Sequence, residues 1–520
     1  MNIATGGSEA TPSREPGLPA WKRLDYLIHR SIGLVLGIMV LVWFGSGIVM
    51  SYYRWPALTE SQQSNILQRF TPDPRLIGFA AARSAAERVA TRTGSEFSWG
   101  RLLVWNGRAT YLLQSTAGAG ASLSTLVDAH TGVVVSPIPP DAALLVARQF
   151  ARTTAPVTEV TRLEHGDLYM MNGDYAADFP AYRVRFNDRA RTAIYVNAAS
   201  GMPVGQVTTA TRFTTWFGTV PHWLYIPPLY RSRLTWGLLN TVLPAIASLL
   251  ALTGIILGIS QLRLQRARGD GPLSPYRGVS RWHHLAGVVC GLLVLTWSLS
   301  GVLQMFGSSV TPPPDMAERL RGTPASWSSI RIADWQAVRL LEQRTADSAR
   351  PLRVDLVQLA GQLGYDIRLD DGGEFWVDAV DGRVRGELSP AEARAVGSRV
   401  LAAPVVAADR LARYDRYYYA RPGRELHLPV WRIAFRDAPH SVAYLNAVTG
   451  ELVGFVDPAV RRWRWLRDGL HSFDYPAFNN KRPLWDLVVL PLLGGGLLSA
   501  FTGVMLASRR AKRLARGLSK

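Results

Sequence analysis

Nine histidines lie along this chain, and five of them stand at the ends of long apolar stretches: His29, His222, His283, His284 and His471. Imidazole in or beside lipid is costly to place and usually marks ligation or proton transfer. His29 and His283 open two of the stretches, while His222 and His471 come shortly before the other two. Facing imidazoles in the core of a helix bundle suit a haem iron, which takes one neutral nitrogen from either side. The same pairs would also serve a proton path or a metal ion, and a lone histidine at a helix end is often a plain interfacial group. Gly33 and Gly37 follow His29 at four-residue steps, and Gly287 and Gly291 follow His283 in the same way. Each histidine therefore shares a helix face with two glycines. A face without side chains lets a flat macrocycle approach the backbone, although Gly-x3-Gly also packs membrane helices together. Arg30, Arg281, Arg233 and Arg482 stand close by in sequence, as carboxylate partners or as anchors at the span ends. His284 corresponds to Arg30 rather than to His29, so His283 is the expected ligand and His284 the neighbour on the carboxylate side. His130, His165, His427 and His440 lack such counterparts and read as ordinary surface or core residues.

Four helices must position these groups. Apolar blocks at 27–53, 234–260, 283–307 and 484–508 each hold about 20 apolar or small residues, enough to cross a hydrocarbon core of about 30 Å. The first follows a polar leader, residues 1–26, with no small-x-small site behind it, and reads as an uncleaved anchor. The connection 261–282 carries Arg263, Arg266, Arg268, Arg277 and Arg281, and the tail 509–520 is also basic. Both should be cytoplasmic, which places the polar segments 54–233 and 308–483 outside.

The chain repeats itself. A shift of 254 residues (283 − 29) lays His29, Gly33, Gly37, Trp43 and Ser46-Gly47 on His283, Gly287, Gly291, Trp297 and Ser300-Gly301. A shift of 249 (471 − 222) lays Trp216, His222, Arg233 and Thr253-Gly254 on Trp465, His471, Arg482 and Thr502-Gly503. Each half is one span, an outside segment and a returning span, so the expected fold is a membrane α-helical four-helix bundle built from a duplicated two-span repeat. The outside segments read as two α+β domains. A turn recurs four times behind an apolar strand, starting at Asp128, Asn197, Asp378 and Asn446 and closing on Gly132, Gly201, Gly382 and Gly450. There the side chain caps the turn and glycine takes φ > 0. Strands are expected at 182–186 and 431–435, helices near 77–93 and 391–402, and two helix-plus-hairpin modules in each half.

Composition removes several classes. The net charge of +19 invites a nucleic-acid reading, but much of it clusters at the ends of the spans, where it sets topology. One Cys supports neither an internal disulfide nor covalent haem attachment. A mean hydropathy of +0.05 is an average over a bundle and two polar segments. No glycine-rich dinucleotide fingerprint is present.

On Leu27-Ile28-His29-Arg30-Ser31-Ile32-Gly33, His283-His284-Leu285-Ala286-Gly287, Leu470-His471-Ser472-Phe473 and Thr502-Gly503, the chain resembles the PepSY-associated transmembrane family over nearly its whole length. The resemblance implies an inner-membrane bundle with two periplasmic α+β PepSY-like domains. The branch similar to ferric-siderophore reductases implies two b-type haems, His29 with His283 for the inner one and His222 with His471 for the outer. It departs from the pattern at His284, where arginine is usual. A quinol or a cytoplasmic reductase is then the expected donor, and a ferric siderophore or other periplasmic acceptor the expected target. Trp216, Trp223, Tyr225, Arg231, Phe473, Tyr475 and Arg482 would form the acceptor mouth. Spacing favours two cofactors: 17 residues from His29 to Ser46 (46 − 29) make about 26 Å of helix. A PepSY module that restrains a periplasmic protease, or a histidine-dependent metal or proton transporter, are the other classes the sequence admits.

Overall fold

The computed structural model describes residues 19–53, 56, 58–90, 97–116, 122–171, 178–269, 272–306, 312–345, 349–421, 426–475 and 481–518. They form two compact units, one from residues up to 48, 233–306 and 470 onward, the other from 49–232 and 307–469.

Four long helices make the first unit: α1 (Ala20–Met50), α2 (Arg233–Ala267), α3 (Gly278–Gln304) and α4 (Leu484–Leu518). All four are long and apolar enough to cross a membrane. α1 and α3 begin before the expected apolar blocks and α2 and α4 end after them, where Lys22, Arg281, Gln265 and Lys512 continue the helix. Hydropathy marks where lipid would end, whereas such residues are good helix formers that keep the backbone wound in water. Leu36, Val40, Phe44, Ala247, Trp297, Val489 and Leu493 fill the bundle core. Outward-facing Val35 and Val289 are 83% and 80% exposed. Large aliphatic groups turned outward in this number suit lipid as the surrounding solvent. Gly496 lets Phe44 in, since a Cβ there would lie 2.2 Å from the ring.

Three antiparallel sheets make the second unit. The first polar segment supplies β1 (Phe97–Trp105), β2 (Arg108–Thr116), β3 (Ser122–Asp128), β4 (Val157–Leu163), β5 (Ala181–Phe186), β6 (Ala193–Asn197) and β7 (Pro203–Val207). The second supplies β8 (Pro351–Leu359), β9 (Gln362–Leu369), β10 (Glu374–Asp378), β11 (Val384–Arg385), β12 (Val405–Leu411), β13 (Val430–Phe435), β14 (Val442–Asn446) and β15 (Leu452–Val456). Their orders are β11-β10-β9-β8-β1-β2-β3, β4-β5-β6-β7 and β12-β13-β14-β15. Because strand side chains alternate, Leu102, Tyr111, Val354 and Tyr365 pack one face of the seven-stranded sheet against helices Phe79–Ala90 and Asp334–Glu342. The opposite face meets one four-stranded sheet through Leu103 and Trp105, and the other through Leu359 and Trp376.

The two segments do not form the two separate domains expected from the sequence. β1 pairs with β8, with Arg101 opposite Asp355, so both halves share the central sheet. Apart, each would leave an unpaired strand edge, and pairing satisfies both rows of N–H and C=O groups. The strands at 182–186 and 431–435 are present as β5 and β13, and the helices appear as Phe79–Ala90 and Pro390–Gly397. The expected hairpins are parts of longer meanders. All four turns close alike: the glycine N–H meets the carbonyl of the opening Asp or Asn at 2.9–3.1 Å. Each opening Oδ1 accepts from the amides two and three residues on, and each glycine has φ between 66° and 78°.

Candidate functional site

Helix positions bring His29 and His283 together in the bundle. Their ring centroids are 6.2 Å apart, with the planes inclined at 44°. His29 leans on α2, where Nδ1 lies 3.1 Å from the Leu250 carbonyl and 3.2 Å from Thr253 Oγ1. His283 leans on α4 in the same manner, with Nδ1 3.1 Å from the Ser499 carbonyl and 3.3 Å from Thr502 Oγ1. A carbonyl only accepts, so each Nδ1 carries the proton and each Nε2 keeps its lone pair. Among the described residues neither Nε2 has a hydrogen-bond partner. The glycine after each threonine makes room for the ring. A Cβ at Gly254 would lie 2.8 Å from His29 Cε1, and one at Gly503 3.1 Å from His283 Cε1.

His284 is placed differently. Its Nε2 donates to the Gly258 carbonyl at 3.1 Å, and its Nδ1 meets Ser274 Oγ at 2.9 Å. Both nitrogens are engaged by protein, which leaves His283 as the member of the pair with a spare lone pair. Tyr276 packs edge-on against His284 and meets Tyr26 Oη at 3.2 Å, while Gln261 Nε2 donates to Tyr26 at 2.8 Å. Sequence reading gave no site role to Thr253, Thr502, Tyr26, Tyr276 or Gln261. The recurring Thr-Gly pair was the available signal, since it precedes no turn and lies inside a helix.

A cavity of about 610 Å³ lies where α1 and α3 begin and α2 and α4 end. Pockets that take cofactor-sized ligands run roughly 300–1,000 Å³. His29, His283 and His284 line it, as do the expected Gly33, Gly37, Gly287 and Gly291, together with Gly254, Gly258, Gly496 and Gly503. Arg30 lines it too, stacked over Tyr26 at 5.2 Å. Arg281 is exposed and not part of the lining, which takes Arg509, Arg510 and Arg513 from α4 instead.

At the far end of α3, His471 Nδ1 lies 3.0 Å from Ser300 Oγ, whose own hydroxyl is also 3.0 Å from the Trp297 carbonyl. Trp297 Nε1 is buried without a partner, and its ring lies 5.9 Å from Phe473, which meets Tyr475 edge-on at 5.8 Å. Arg482 sits over Trp485 at 4.5 Å and pairs with Asp486. Arg233 is the first residue of α2.

The second unit holds His222, near the end of a short helix (Val220–Trp223) that follows a π-helical turn containing Trp216. Trp216 is exposed, whereas Tyr225 is buried, stacked on Trp223 at 6.3 Å and edge-on to Tyr230 at 5.0 Å. Arg231 ends the next short helix, Pro227–Arg231. This unit also buries a charged group that sequence reading missed. Arg101 donates to both oxygens of Asp355 at 2.6 and 2.7 Å, and Arg353 pairs with Glu60. Asp366 Oδ1 is buried without a partner, and burial, with Glu374 and Asp355 adding repulsion, pushes that carboxyl well above its ordinary range. Among the described residues, no three or more His, Cys, Asp or Glu are arranged to hold a metal ion. Two imidazoles would suit an iron that brings its own equatorial ligands.

The fit of such a group rests on the donor set and the cradle. An iron with metal–nitrogen bonds of roughly 2 Å, and nitrogens about 1.1 Å from their ring centres, would space the two rings by about 6 Å. That agrees with the 6.2 Å between His29 and His283. The cavity has the volume for such a group and presents two imidazole lone pairs, so the residues present fit a haem. No family model matches the chain, and no curated protein matches it.

Proposed function

We propose that this chain is an inner-membrane electron-transfer protein that holds two b-type haems and reduces a periplasmic ferric chelate, such as a ferric siderophore. The observation that carries the reading is the pair His29 and His283, ring centroids 6.2 Å apart with both Nδ1 atoms tied to neighbouring helices. A haem bound there would supply a one-electron carrier inside the bundle. His29 and His283 would hold its iron through Nε2. Leu250 with Thr253, and Ser499 with Thr502, fix the tautomer and aim each ring, as outer-shell partners do for metal-bound histidine. Glycines at 33, 37, 287 and 291 line the same cavity, and at Gly37 and Gly291 the missing side chain also lets Val504 and Ile255 of neighbouring helices pack close.

The second haem rests on the correspondence of His222 with His471 in the repeat, and the internal duplication itself belongs to this proposal. It is supported by the matched tethers of His29 and His283, whose partners differ by 249 residues (499 − 250 and 502 − 253). Ser300, which holds His471, stands 17 residues after His283 on one continuous helix. That is about 26 Å, too far for one ligand set to serve both places. The unpartnered Trp297 N–H near Phe473 is consistent with a polar group at that end. Basic connections set the orientation, with both termini cytoplasmic and the sheet unit periplasmic, and a quinol or cytoplasmic reductase as donor. Trp216, Trp223, Arg231, Phe473 and Tyr475 offer aromatic and cationic surface for an anionic or aryl-bearing acceptor. In the soluble unit, we assign the helix-plus-meander modules to PepSY-like domains.

The visible spectrum of detergent-purified protein tests the whole. Reduced b-type bands at about two haems per chain are expected, and His222→Ala should remove one. Colourless, folded protein from haem-replete cells would sink the proposal.

A further inference from the structure

We propose that the bundle cavity is keyed to a flat ligand bearing two carboxylates on one edge, with the half-buried Arg510 as the anchor. This rests on the electron-transfer reading and deepens it by assigning residues to the acidic edge of the bound group. Four arginines line the cavity: Arg30 from α1 and Arg509, Arg510 and Arg513 from α4. No Asp or Glu is among the described lining residues, and none of the four forms an ion pair among the described residues. The cavity is thus strongly cationic at one end and apolar or glycine-lined at the other. Arg510 Nη1 is buried with no hydrogen-bond partner. A buried donor left unmade carries its full desolvation penalty, which a ligand acceptor removes. Guanidinium matches carboxylate in planar, paired hydrogen bonds. The four charges also repel each other, and a dianionic edge relieves that repulsion.

The polarity of the cavity therefore sets the ligand's direction. Its apolar body faces Gly33, Gly287 and the two imidazoles, and its acid edge faces the end where α4 leaves the bundle. Arg281, the sequence-level choice for this task, is outside the lining and takes no part. An anionic lipid headgroup shares the acid chemistry but lacks the flat body, so the two sources can be separated.

The test uses full-length protein from haem-deficient cells, in a His471→Ala background so that the inner pair alone is titrated. Iron protoporphyrin IX and its dimethyl ester are compared by Soret absorbance. The diacid should bind about tenfold to a hundredfold more tightly than the ester, the range of one or two charge-assisted bonds. Arg510→Met should erase most of that preference and leave ester binding unchanged, Arg510→Lys should restore part of it, and Arg281→Met should change nothing. Equal binding of diacid and ester by the unsubstituted arginine set overturns this inference alone. So does an Arg510→Met protein that keeps the preference, which leaves these arginines to lipid phosphate. If neither porphyrin binds, this inference and the electron-transfer reading fall together.

Discussion

A methyl group at Gly254 tests the histidine pair without touching either histidine. The Cβ of Gly254→Ala would lie 2.8 Å from His29 Cε1. Carbon atoms prefer about 3.5–4.0 Å, so the ring must retreat by roughly 0.7–1.2 Å. It cannot retreat freely, because its Nδ1 is tied to Leu250 on the same helix, 3.1 Å away. Metal–ligand distances tolerate only about 0.2 Å, so an iron–nitrogen bond to His29 would be lost or strained. A misplacement of this size costs on the order of a hundredfold. At Gly503 the corresponding distance is 3.1 Å, so the shortfall is about 0.4–0.9 Å and the loss should be smaller. Gly237 lies on the same helix as Gly254 with nothing within 4 Å of a built Cβ, and serves as the control. Haem per chain, from absorbance of the pyridine complex, should fall from about two toward one in Gly254→Ala. Reduced spectra and electron paramagnetic resonance should show loss of one bis-histidine signal. A Gly254→Ala protein with the haem content, affinity and spectra of Gly237→Ala would refute the placement of an iron between His29 and His283.

Three further outcomes follow from the same geometry. Thr253→Val removes the oxygen 3.2 Å from His29 Nδ1 but leaves the Leu250 carbonyl; inner-haem affinity should drop about tenfold, the lower end for outer-shell partners, by titration of the apoprotein. In the soluble unit, burial pushes the Asp178 carboxyl up to about 6, from about 3.9 in an unfolded chain. The folded form therefore holds its proton to higher pH, so this contribution is full below about 4 and is lost as pH rises through about 6. The unfolding free energy should fall across that window by at most about 3 kcal/mol, and Asp178→Asn should flatten the slope. Finally, Gly201 has φ 66° and a built Cβ would lie 2.5 Å from Trp105 Nε1, whereas Gly372 has φ 91° and open space around it. Gly372→Ala should cost about 1–2 kcal/mol, the left-handed strain alone, and Gly201→Ala distinctly more, since it also disturbs the 3.0 Å bond from Trp105 Nε1 to the Gly201 carbonyl. Urea unfolding followed by tryptophan fluorescence measures both.

Some features were legible because they depend on residues near in sequence. The four apolar blocks became four long helices, since the thickness of a membrane fixes how many apolar residues must run together. The Asp/Asn…Gly turns were equally legible, because the cap and the positive φ lie within five residues of each other. The periodic spacing of His29, Gly33 and Gly37 told which face they share, and all three line the cavity. The helices run beyond the apolar blocks, since hydropathy reports burial in lipid and not hydrogen bonding. The merged seven-stranded sheet was also missed. Its central pairing joins strands some 250 residues apart, and nothing in either strand names its partner.

The sequence by itself determined where the apolar spans lie, that histidines stand at their ends with glycines one turn away, and that the chain has a single cysteine. Periodicity and composition are enough for that, because they act along a single helix. Only the tertiary structure decided which histidine faces His29 and which arginines line the space between the helices. His283 and His284 are adjacent in the chain, yet helix geometry turns them about 100° apart, so one meets His29 while the other is saturated by Gly258 and Ser274. Arg510 likewise outranks Arg281 because α4 winds past the apolar block and carries it to the cavity wall. Which side chains converge depends on where other helices pass, and that is set by packing between distant segments.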